Sequence, residues 1–120
     1  MSVQSLVAVV DDDEDVRASL KMLVDSLGHE AVLFASADAL LARGSLGDFA
    51  CFISDVQMPG MDGVQLARQL KSLTTAPVIL ITAFANEDVE RRAKDASVRR
   101  FLSKPFDPDK LIEELEMLLR

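Results

Sequence analysis

Residues 49–63, FACFISDVQMPGMDG, decide the fold and direct attention to one side chain. The segment begins as an apolar run that is typical of a strand covered on both faces. The run ends in Asp55, and Pro59, Gly60 and Gly63 prevent the strand from continuing. We therefore expect Asp55 at the carboxyl end of a central strand, which is the edge where open α/β sheets bind their ligands.

Length and charge narrow the class of protein. A chain of 120 residues predicts one domain, residues 1–120, that is long enough to bury a substantial core. The net charge of -7 disfavours direct binding to nucleic acid or to an anionic membrane, because both need a cationic face. Cys51, the single cysteine, lies in an apolar run and is expected to be a core residue. No apolar run approaches a membrane span, so we expect a cytoplasmic protein.

Five predicted strands, the last of them shorter, alternate along the chain with segments of helical periodicity. The predicted strands cover residues 6–10, 31–34, 49–55, 77–82 and 99–103. Helix boundaries are marked by a stop at Gly28 and by starts at Ser36, at Asn86 and at Asp107 or Pro108. This alternation predicts an α/β fold in which helices cover both faces of a parallel sheet.

Polar residues stand where the predicted strands end. Asp11 and Asp12 follow the first strand, Asp55 ends the third, Thr82 ends the fourth and Lys104 follows the fifth. In a parallel sheet these five side chains meet at one edge. Three carboxylates brought together repel one another unless a cation lies between them, and oxygen ligands of this kind suit Mg²⁺.

Such a site fits phosphoryl transfer, because a carboxylate beside Mg²⁺ can act as a nucleophile toward phosphorus. Lys104 would neutralise phosphoryl oxygens, and Thr82 would donate a hydrogen bond to one of them. Each residue alone has an ordinary explanation: acids after a strand stabilise a helix N-terminus, Asp55 suits a turn, and a loop lysine is usually solvated. The convergence of four strand ends on one chemistry favours the site.

The chain closely resembles the receiver domain of two-component response regulators, in particular the FixJ-type branch, over nearly its whole length. The matching segments are VVDDD at 9–13, DVQMPGMDG at 55–63, ITA at 81–83 and FLSKPF at 101–106. The resemblance implies a flavodoxin-like (βα)5 fold with five helices and strand order 2-1-3-4-5. It also implies a phosphoprotein that takes a phosphoryl group in a Mg²⁺-dependent reaction and changes conformation.

The resemblance assigns a role to each site residue. Asp55 would be phosphorylated, and Asp12, Asp55 and the Gln57 carbonyl would ligate Mg²⁺ directly, with Asp11 acting through water. Lys104 and Thr82 would bind the phosphoryl group. Thr82 and Phe101 would form the conformational switch, Gln57 and Phe84 would tune the lifetime of the phosphoryl group, and the Lys104–Pro105 peptide bond would be cis.

The resemblance further implies a sensor histidine kinase or phosphotransfer protein as phosphoryl donor, and an output domain or downstream protein as receiver of the signal. A phosphorylation-dependent homodimer is one alternative. A competing function is a magnesium-dependent phosphohydrolase with an aspartyl nucleophile. Such enzymes need a second acid two residues after the nucleophile, and Gln57 stands there. An FMN-binding module is disfavoured by the acidic loop after the first strand, and a receiver that works without phosphate by the full set of site residues.

Two features depart from the family pattern. Receivers usually carry a glycine shortly before the fifth strand, whereas residues 96–98 read Ala-Ser-Val here. Arg99 and Arg100 make the face formed by the fourth helix, the fifth strand and the fifth helix unusually basic. Arg91, Arg92 and Lys94 of the fourth helix are expected to form a solvated side.

Overall fold

The computed structural model describes residues 5–105 and 107–119, so Phe106 of the matched turn lies outside the described residues. Five strands and five helices alternate in chain order. The strands are β1 Leu6–Val10, β2 Glu30–Phe34, β3 Phe49–Asp55, β4 Val78–Thr82 and β5 Arg100–Ser103. The helices are α1 Glu14–Ser26, α2 Ala37–Arg43, α3 Gly63–Leu73, α4 Glu87–Asp95 and α5 Pro108–Leu118.

The strands form one parallel sheet in the order β2-β1-β3-β4-β5, which confirms the predicted fold. Helices α1 and α5 pack on one face, and α2, α3 and α4 pack on the other. Alternate residues of β3 serve the two faces: Phe52 joins the core under α2–α4, and Ile53 joins the core under α1 and α5. The central strands are therefore apolar until their carboxyl ends, where β3 carries Ser54 and Asp55 and β4 carries Thr82, and β3 is flanked by β1 and β4.

The predicted helix starts are confirmed by hydrogen bonds. The side chains of Ser36, Asn86 and Asp107 each accept a hydrogen bond from a backbone N–H of the helix that follows. Gly28 ends the α1 segment with a φ of 83°, a conformation that favours glycine. Strands β2, β4 and β5 differ from the predicted boundaries by one residue each, and a short 3-10 turn at Leu46–Asp48 was not predicted.

Cys51 lies in the core, as predicted, with no exposed surface. Burial raises the pKa of its thiol to about 12, so the thiol stays protonated near neutral pH and is a poor nucleophile. Within the part of the chain that the structure describes, no helix combines the length and the apolar character needed to cross a bilayer.

The turn between α4 and β5 places a serine where glycine is favoured. Ser97 has a φ of 60° directly after Ala96, the last residue associated with α4. Its N–H donates to the carbonyl of Lys94, and its hydroxyl accepts a hydrogen bond from the Lys71 ammonium. Ser97, in the turn where the resemblance implies a glycine, therefore stands at a left-handed position that a residue with a Cβ atom adopts only at a cost.

Ser97→Gly is expected to raise the free energy of unfolding by about 0.5–1 kcal/mol. Relief of the left-handed strain, about 1–2 kcal/mol, exceeds the greater flexibility of glycine in the unfolded chain. Urea unfolding measures the change. Ser97→Ala is the matched control, because it removes the hydroxyl and keeps the Cβ atom, and it should not stabilise. A glycine variant less stable than the wild type would contradict this explanation.

Candidate functional site

Three carboxylates meet at the carboxyl ends of β1 and β3. Asp11 and Asp12 follow β1, Asp55 ends β3, and one carboxylate oxygen from each lies within 4.8 Å of the others. The strands are direct neighbours, which is why their ends converge. Asp11 and Asp55 are buried, whereas Asp12 is exposed at the mouth of the site.

Lys104 reaches this cluster from the loop after β5. Its Nζ atom lies 3.1 Å from Asp11 Oδ2 and 3.6 Å from Asp55 Oδ1. The Lys104–Pro105 peptide is cis, as the resemblance implies, and the Lys104 N–H donates to the Thr82 carbonyl at 2.7 Å. One formal positive charge against three formal negative charges leaves a net charge of two negative units. Clustered oxygen donors with this charge fit a hard divalent cation such as Mg²⁺.

The carboxyl group of Asp55 holds its proton more tightly than an ordinary aspartate. Burial is the main cause and the charge of Asp11 the second, and together they raise the pKa of Asp55 to about 6. Lys104 and the Val56 N–H, which donates to Asp55 Oδ1 at 2.9 Å, act in the opposite direction. Near neutral pH the group is largely ionised, but its surroundings stabilise the carboxylate incompletely. A cation or an electrophile bound at this site would therefore lower the free energy of the ionised form.

The backbone of Asp55 is held by the start of α3. The Gly63 N–H donates to the Val56 carbonyl at 2.9 Å, and a Cβ atom at Gly63 would lie 2.1 Å from the Asp55 carbonyl oxygen. That distance is far below a van der Waals contact, so the position requires glycine. The sequence identifies Gly63 as a strand breaker and as part of the matched segment 55–63 but does not reveal this contact, because the contact depends on how the loop folds back.

Arg17 is a second residue that sequence reasoning missed. Its Nη1 atom donates to the backbone carbonyl of Asp11 at 2.6 Å, while Asp11 Oδ1 accepts from the Asp13 N–H at 2.9 Å. These contacts hold the acidic loop in place. The only signal in the sequence is an arginine in the first turns of α1, a position that most often faces solvent.

Thr82 and Gln57 contact each other across the site. Thr82 is fully buried at the end of β4, and its hydroxyl donates a hydrogen bond to Gln57 Oε1. The same hydroxyl accepts a hydrogen bond from the Phe84 N–H at 3.0 Å. The sequence placed both side chains at this edge but did not predict their contact.

The two aromatic residues assigned by resemblance differ in burial. Phe84 is 68% exposed, although its backbone is tied to Thr82. Phe101 is half-buried and packs against the core beneath α2–α4. Neither ring is fully enclosed.

Arg92 differs from the expected solvated side of α4. Its guanidinium lies 3.0 Å from Asp62 Oδ2, and both side chains are about a third exposed or less, at 34% and 25%. Asp62 also caps α3, because its Oδ1 accepts from the Gln65 N–H while the Gln65 side chain accepts from the Asp62 N–H. Arg91 behaves as expected and pairs at the surface with Asp88.

A five-stranded parallel (βα)5 sheet with three carboxylates and a lysine at the carboxyl ends of its strands is the arrangement expected of a receiver domain. Comparison with known proteins gives the same class. The response regulator receiver domain model matches residues 7–116, and the chain belongs to this family. Phosphorylation is characteristic of the family, whose members are signalling modules.

The similarity to the FixJ-type branch is also confirmed. The transcriptional regulatory protein FixJ of Bradyrhizobium diazoefficiens is 34% identical over 121 residues, covering 100% of this chain and 59% of FixJ. The solved structure of FixJ-N is 33% identical with a TM-score of 0.83, covering 97% of this chain and 94% of that one. The BeF3-activated receiver domain of DrrB shares the fold, with a TM-score of 0.90 at 23% identity and 98% coverage of both chains.

Proposed function

We propose that this receiver domain accepts a phosphoryl group on Asp55 in a Mg²⁺-dependent reaction and that the modification shifts its conformation to regulate an output partner or domain. The observation that carries the proposal is the burial of Asp55 among Asp11, Asp12 and Lys104 at the end of a central strand. A purely structural aspartate would gain nothing from two further carboxylates beside it.

In the reaction, a carboxylate oxygen of Asp55 forms a bond to phosphorus. The bond between phosphorus and the donor breaks, and its electron pair leaves with the donor, on an imidazole nitrogen of phosphohistidine or a carboxylate oxygen of acetyl phosphate. The Val56 N–H holds Oδ1, so we assign Oδ2 to the attack. The product is an acyl phosphate on Asp55.

The acidic residues would hold Mg²⁺. Asp12, Asp55 and the Gln57 backbone carbonyl would ligate it directly and Asp11 through water, and the bound ion would neutralise charge on the phosphoryl oxygens. Lys104 would exchange its contact with Asp11 for one with the phosphoryl group. The Thr82 hydroxyl would donate to a phosphoryl oxygen, which gives Phe101 space to turn inward.

The partners follow from this chemistry. A sensor histidine kinase or a phosphotransfer protein would supply the phosphoryl group in the cytoplasm, and an output domain or a downstream protein would respond to the changed surface. A phosphorylation-dependent homodimer is an alternative response. Residues 1–120 would act as one receiver domain without binding nucleic acid or membrane themselves, since the net charge of -7 opposes both.

A phosphohydrolase remains the weaker candidate. Its mechanism needs an acid two residues after the nucleophile to transfer a proton. Gln57 has no titratable group, and its side-chain oxygen is occupied by the Thr82 hydroxyl. The geometry therefore supports a stable phosphorylated state over rapid turnover of an external substrate.

Incubation with acetyl phosphate and Mg²⁺, followed by intact-mass measurement and peptide mapping, tests the proposal. We expect one added phosphoryl group per chain, located on Asp55, and none when EDTA removes the metal. A phosphoryl group on another residue, or equal labelling with EDTA, would refute the assignment.

Asp12→Asn should stabilise the fold slightly in metal-free buffer, because it removes one of three like charges. Magnesium should reverse the ranking. At ten times its Kd, the ion stabilises the wild type by about 1.4 kcal/mol, and the variant lacks one ligand. Thermal melts of both proteins with Mg²⁺ and with EDTA measure the difference. Equal responses to Mg²⁺ would exclude Asp12 as a ligand.

Phe84→Glu should shorten the lifetime of phospho-Asp55 severalfold. Hydrolysis needs a water aligned behind phosphorus. The Phe84 ring, which is 68% exposed in this structure, would exclude that water when it turns over the site, whereas a carboxylate there would position it. Phe84→Leu, which stays apolar, is the control and should decay at nearly the wild-type rate. Loss of phosphoryl mass over time at fixed Mg²⁺ gives the rates. If the glutamate variant decays no faster, the exposed ring serves a partner instead.

A further inference from the structure

The hydrogen bond between Thr82 and Gln57 has a consequence for the switch. A hydroxyl carries a single proton and therefore donates to one acceptor at a time. In this structure the Thr82 proton is directed to Gln57 Oε1, and the Thr82 oxygen accepts from the Phe84 N–H. The donor that a phosphoryl group on Asp55 would need is thus already engaged.

The backbone around Thr82 leaves little freedom to resolve this competition by moving the strand. The Lys104 N–H donates to the Thr82 carbonyl at 2.7 Å, and the Val56 N–H, which is shared with Asp55 Oδ1, also lies 3.0 Å from the Ile81 carbonyl. Hydrogen bonds therefore hold the end of β4 to the segments that follow β3 and β5 on either side of it. Reorientation of the Thr82 side chain, with loss of its bond to Gln57, is the change that this environment permits.

We infer that Gln57 is a positioning residue that holds the Thr82 hydroxyl in its unphosphorylated orientation, so that phosphorylation must displace the Gln57 side chain before Thr82 can respond. The inference rests on the proposed function and adds a regulatory role to it. Gln57 sets the equilibrium between the two conformations, a role distinct from any effect of its side chain on hydrolysis.

The hydrogen bond between Thr82 and Gln57 can bias the equilibrium between the two conformations because both side chains have few other hydrogen-bond partners. Thr82 has no exposed surface, so water does not readily replace Gln57 as acceptor. Gln57 is half-buried in the loop after β3, where its long side chain spans to β4. Loss of the contact should therefore favour the phosphorylated arrangement even before a phosphoryl group arrives.

A double-mutant cycle tests the inference with beryllofluoride, a phosphoryl mimic, as the probe. Gln57→Met keeps an unbranched side chain of similar length without the amide oxygen, and Thr82→Val keeps the shape of threonine without the hydroxyl. Calorimetric titration at saturating Mg²⁺ gives the Kd of beryllofluoride for the wild type, both single variants and the double variant. The backbone carbonyl of residue 57 is present in all four proteins.

We expect Gln57→Met to lower the Kd about three- to tenfold, the effect of losing one neutral hydrogen bond that opposes binding. In the Thr82→Val background the same substitution should leave the Kd unchanged, because no hydroxyl remains to be held. An equal change in both backgrounds would mean that Gln57 acts on the probe directly and would overturn the inference, as would an unchanged or raised Kd in the single variant.

A measurement without metal or probe separates the inference from the proposed function. The three-bond coupling between the nitrogen and the methyl carbon of Thr82, measured by NMR, reports its χ1 rotamer. We expect one rotamer in the wild type and averaging in Gln57→Met; identical couplings would overturn the inference. Failure of all four proteins to bind beryllofluoride, with the expected couplings observed, would refute the proposed function and the regulatory role with it.

Discussion

Asp55→Asn is expected to make the metal-free protein more stable at pH 7 by about 2–3 kcal/mol, even though it removes the reactive group. Burial and Asp11 raise the pKa of Asp55 from its ordinary 3.8 to about 6. Keeping this carboxyl ionised in the folded state therefore opposes folding, by about 1.4 kcal/mol for each pH unit between the two pKa values.

The sign of the pH dependence follows from proton binding. Between pH 4 and 6 the folded protein holds the Asp55 proton while the unfolded chain has lost it, so stability falls as the pH rises through this range. The asparagine variant has no carboxyl group at this position, so its stability does not fall for this reason. Its advantage over the wild type should be smallest near pH 4, grow up to about pH 6, and stay constant above about pH 7.

Urea unfolding in EDTA between pH 4 and 8 measures both curves. Asp48→Asn is a suitable control, because Asp48 is exposed and its ion pair with Arg43 lies in solvent. That variant should track the wild type at every pH. An Asp55→Asn variant no more stable than the wild type at pH 7, or an advantage independent of pH, would contradict the raised pKa.

The same variant should lose phosphorylation completely, since the amide nitrogen and oxygen of asparagine do not form a stable acyl phosphate. Intact mass after treatment with acetyl phosphate and Mg²⁺ detects the loss. Stabilisation together with loss of labelling is a diagnostic pair: a merely damaged fold would lose both labelling and stability. Labelling that persists in Asp55→Asn would remove Asp55 from the acceptor role.

Gly63→Ala is expected to lower the free energy of unfolding by about 2–3 kcal/mol. The added Cβ atom would lie 2.1 Å from the Asp55 carbonyl oxygen and 3.0 Å from the Val56 Cα atom, and both neighbours belong to the backbone. Overpacking of this kind typically costs about 1–3 kcal/mol and forces the backbone to move. The higher helix propensity of alanine, about 1 kcal/mol at most, does not compensate.

Gly47→Ala is the matched control, because a Cβ atom there would meet nothing within 4 Å. Its effect should stay within about 0.5 kcal/mol. Urea unfolding compares the two variants, and phosphorylation by acetyl phosphate shows whether the displaced Asp55 backbone slows the reaction. Equal stability of the two alanine variants would show that the start of α3 moves away from β3 easily.

The sequence was sufficient to predict a parallel sheet, because β1, β3 and β4 are apolar runs that end at a polar residue, whereas the strand order came from the family resemblance. The meeting of Asp11, Asp55 and Lys104 at one edge followed directly, since parallel strands share a carboxyl end. These predictions rest on the periodicity of apolar residues and on the direction of the chain, and both can be read directly from the sequence.

What the sequence could not predict depends on distances between side chains far apart in the chain. Arg92 reaches Asp62 across 30 positions, and Thr82 meets Gln57 across 25. In each case the residue types alone favour solvent as the partner. Ser97 is intermediate: the family resemblance implies a glycine in this turn, but the left-handed φ of the serine is a property of the folded chain.

Helix α3 begins in close contact with the end of β3, so the Asp55 backbone is held in place on that side. We therefore expect structural changes after modification of Asp55 to occur on the opposite side of the site. Because no space remains between Gly63 and the Asp55 carbonyl, the loop after β3 cannot move toward α3 to make room for a phosphoryl group on Asp55. The opposite side is looser, with Phe101 half-covered and Phe84 mostly in solvent. A fluorescent reporter attached to α3 should therefore remain silent when Asp55 is modified, whereas one beside Phe84 should respond.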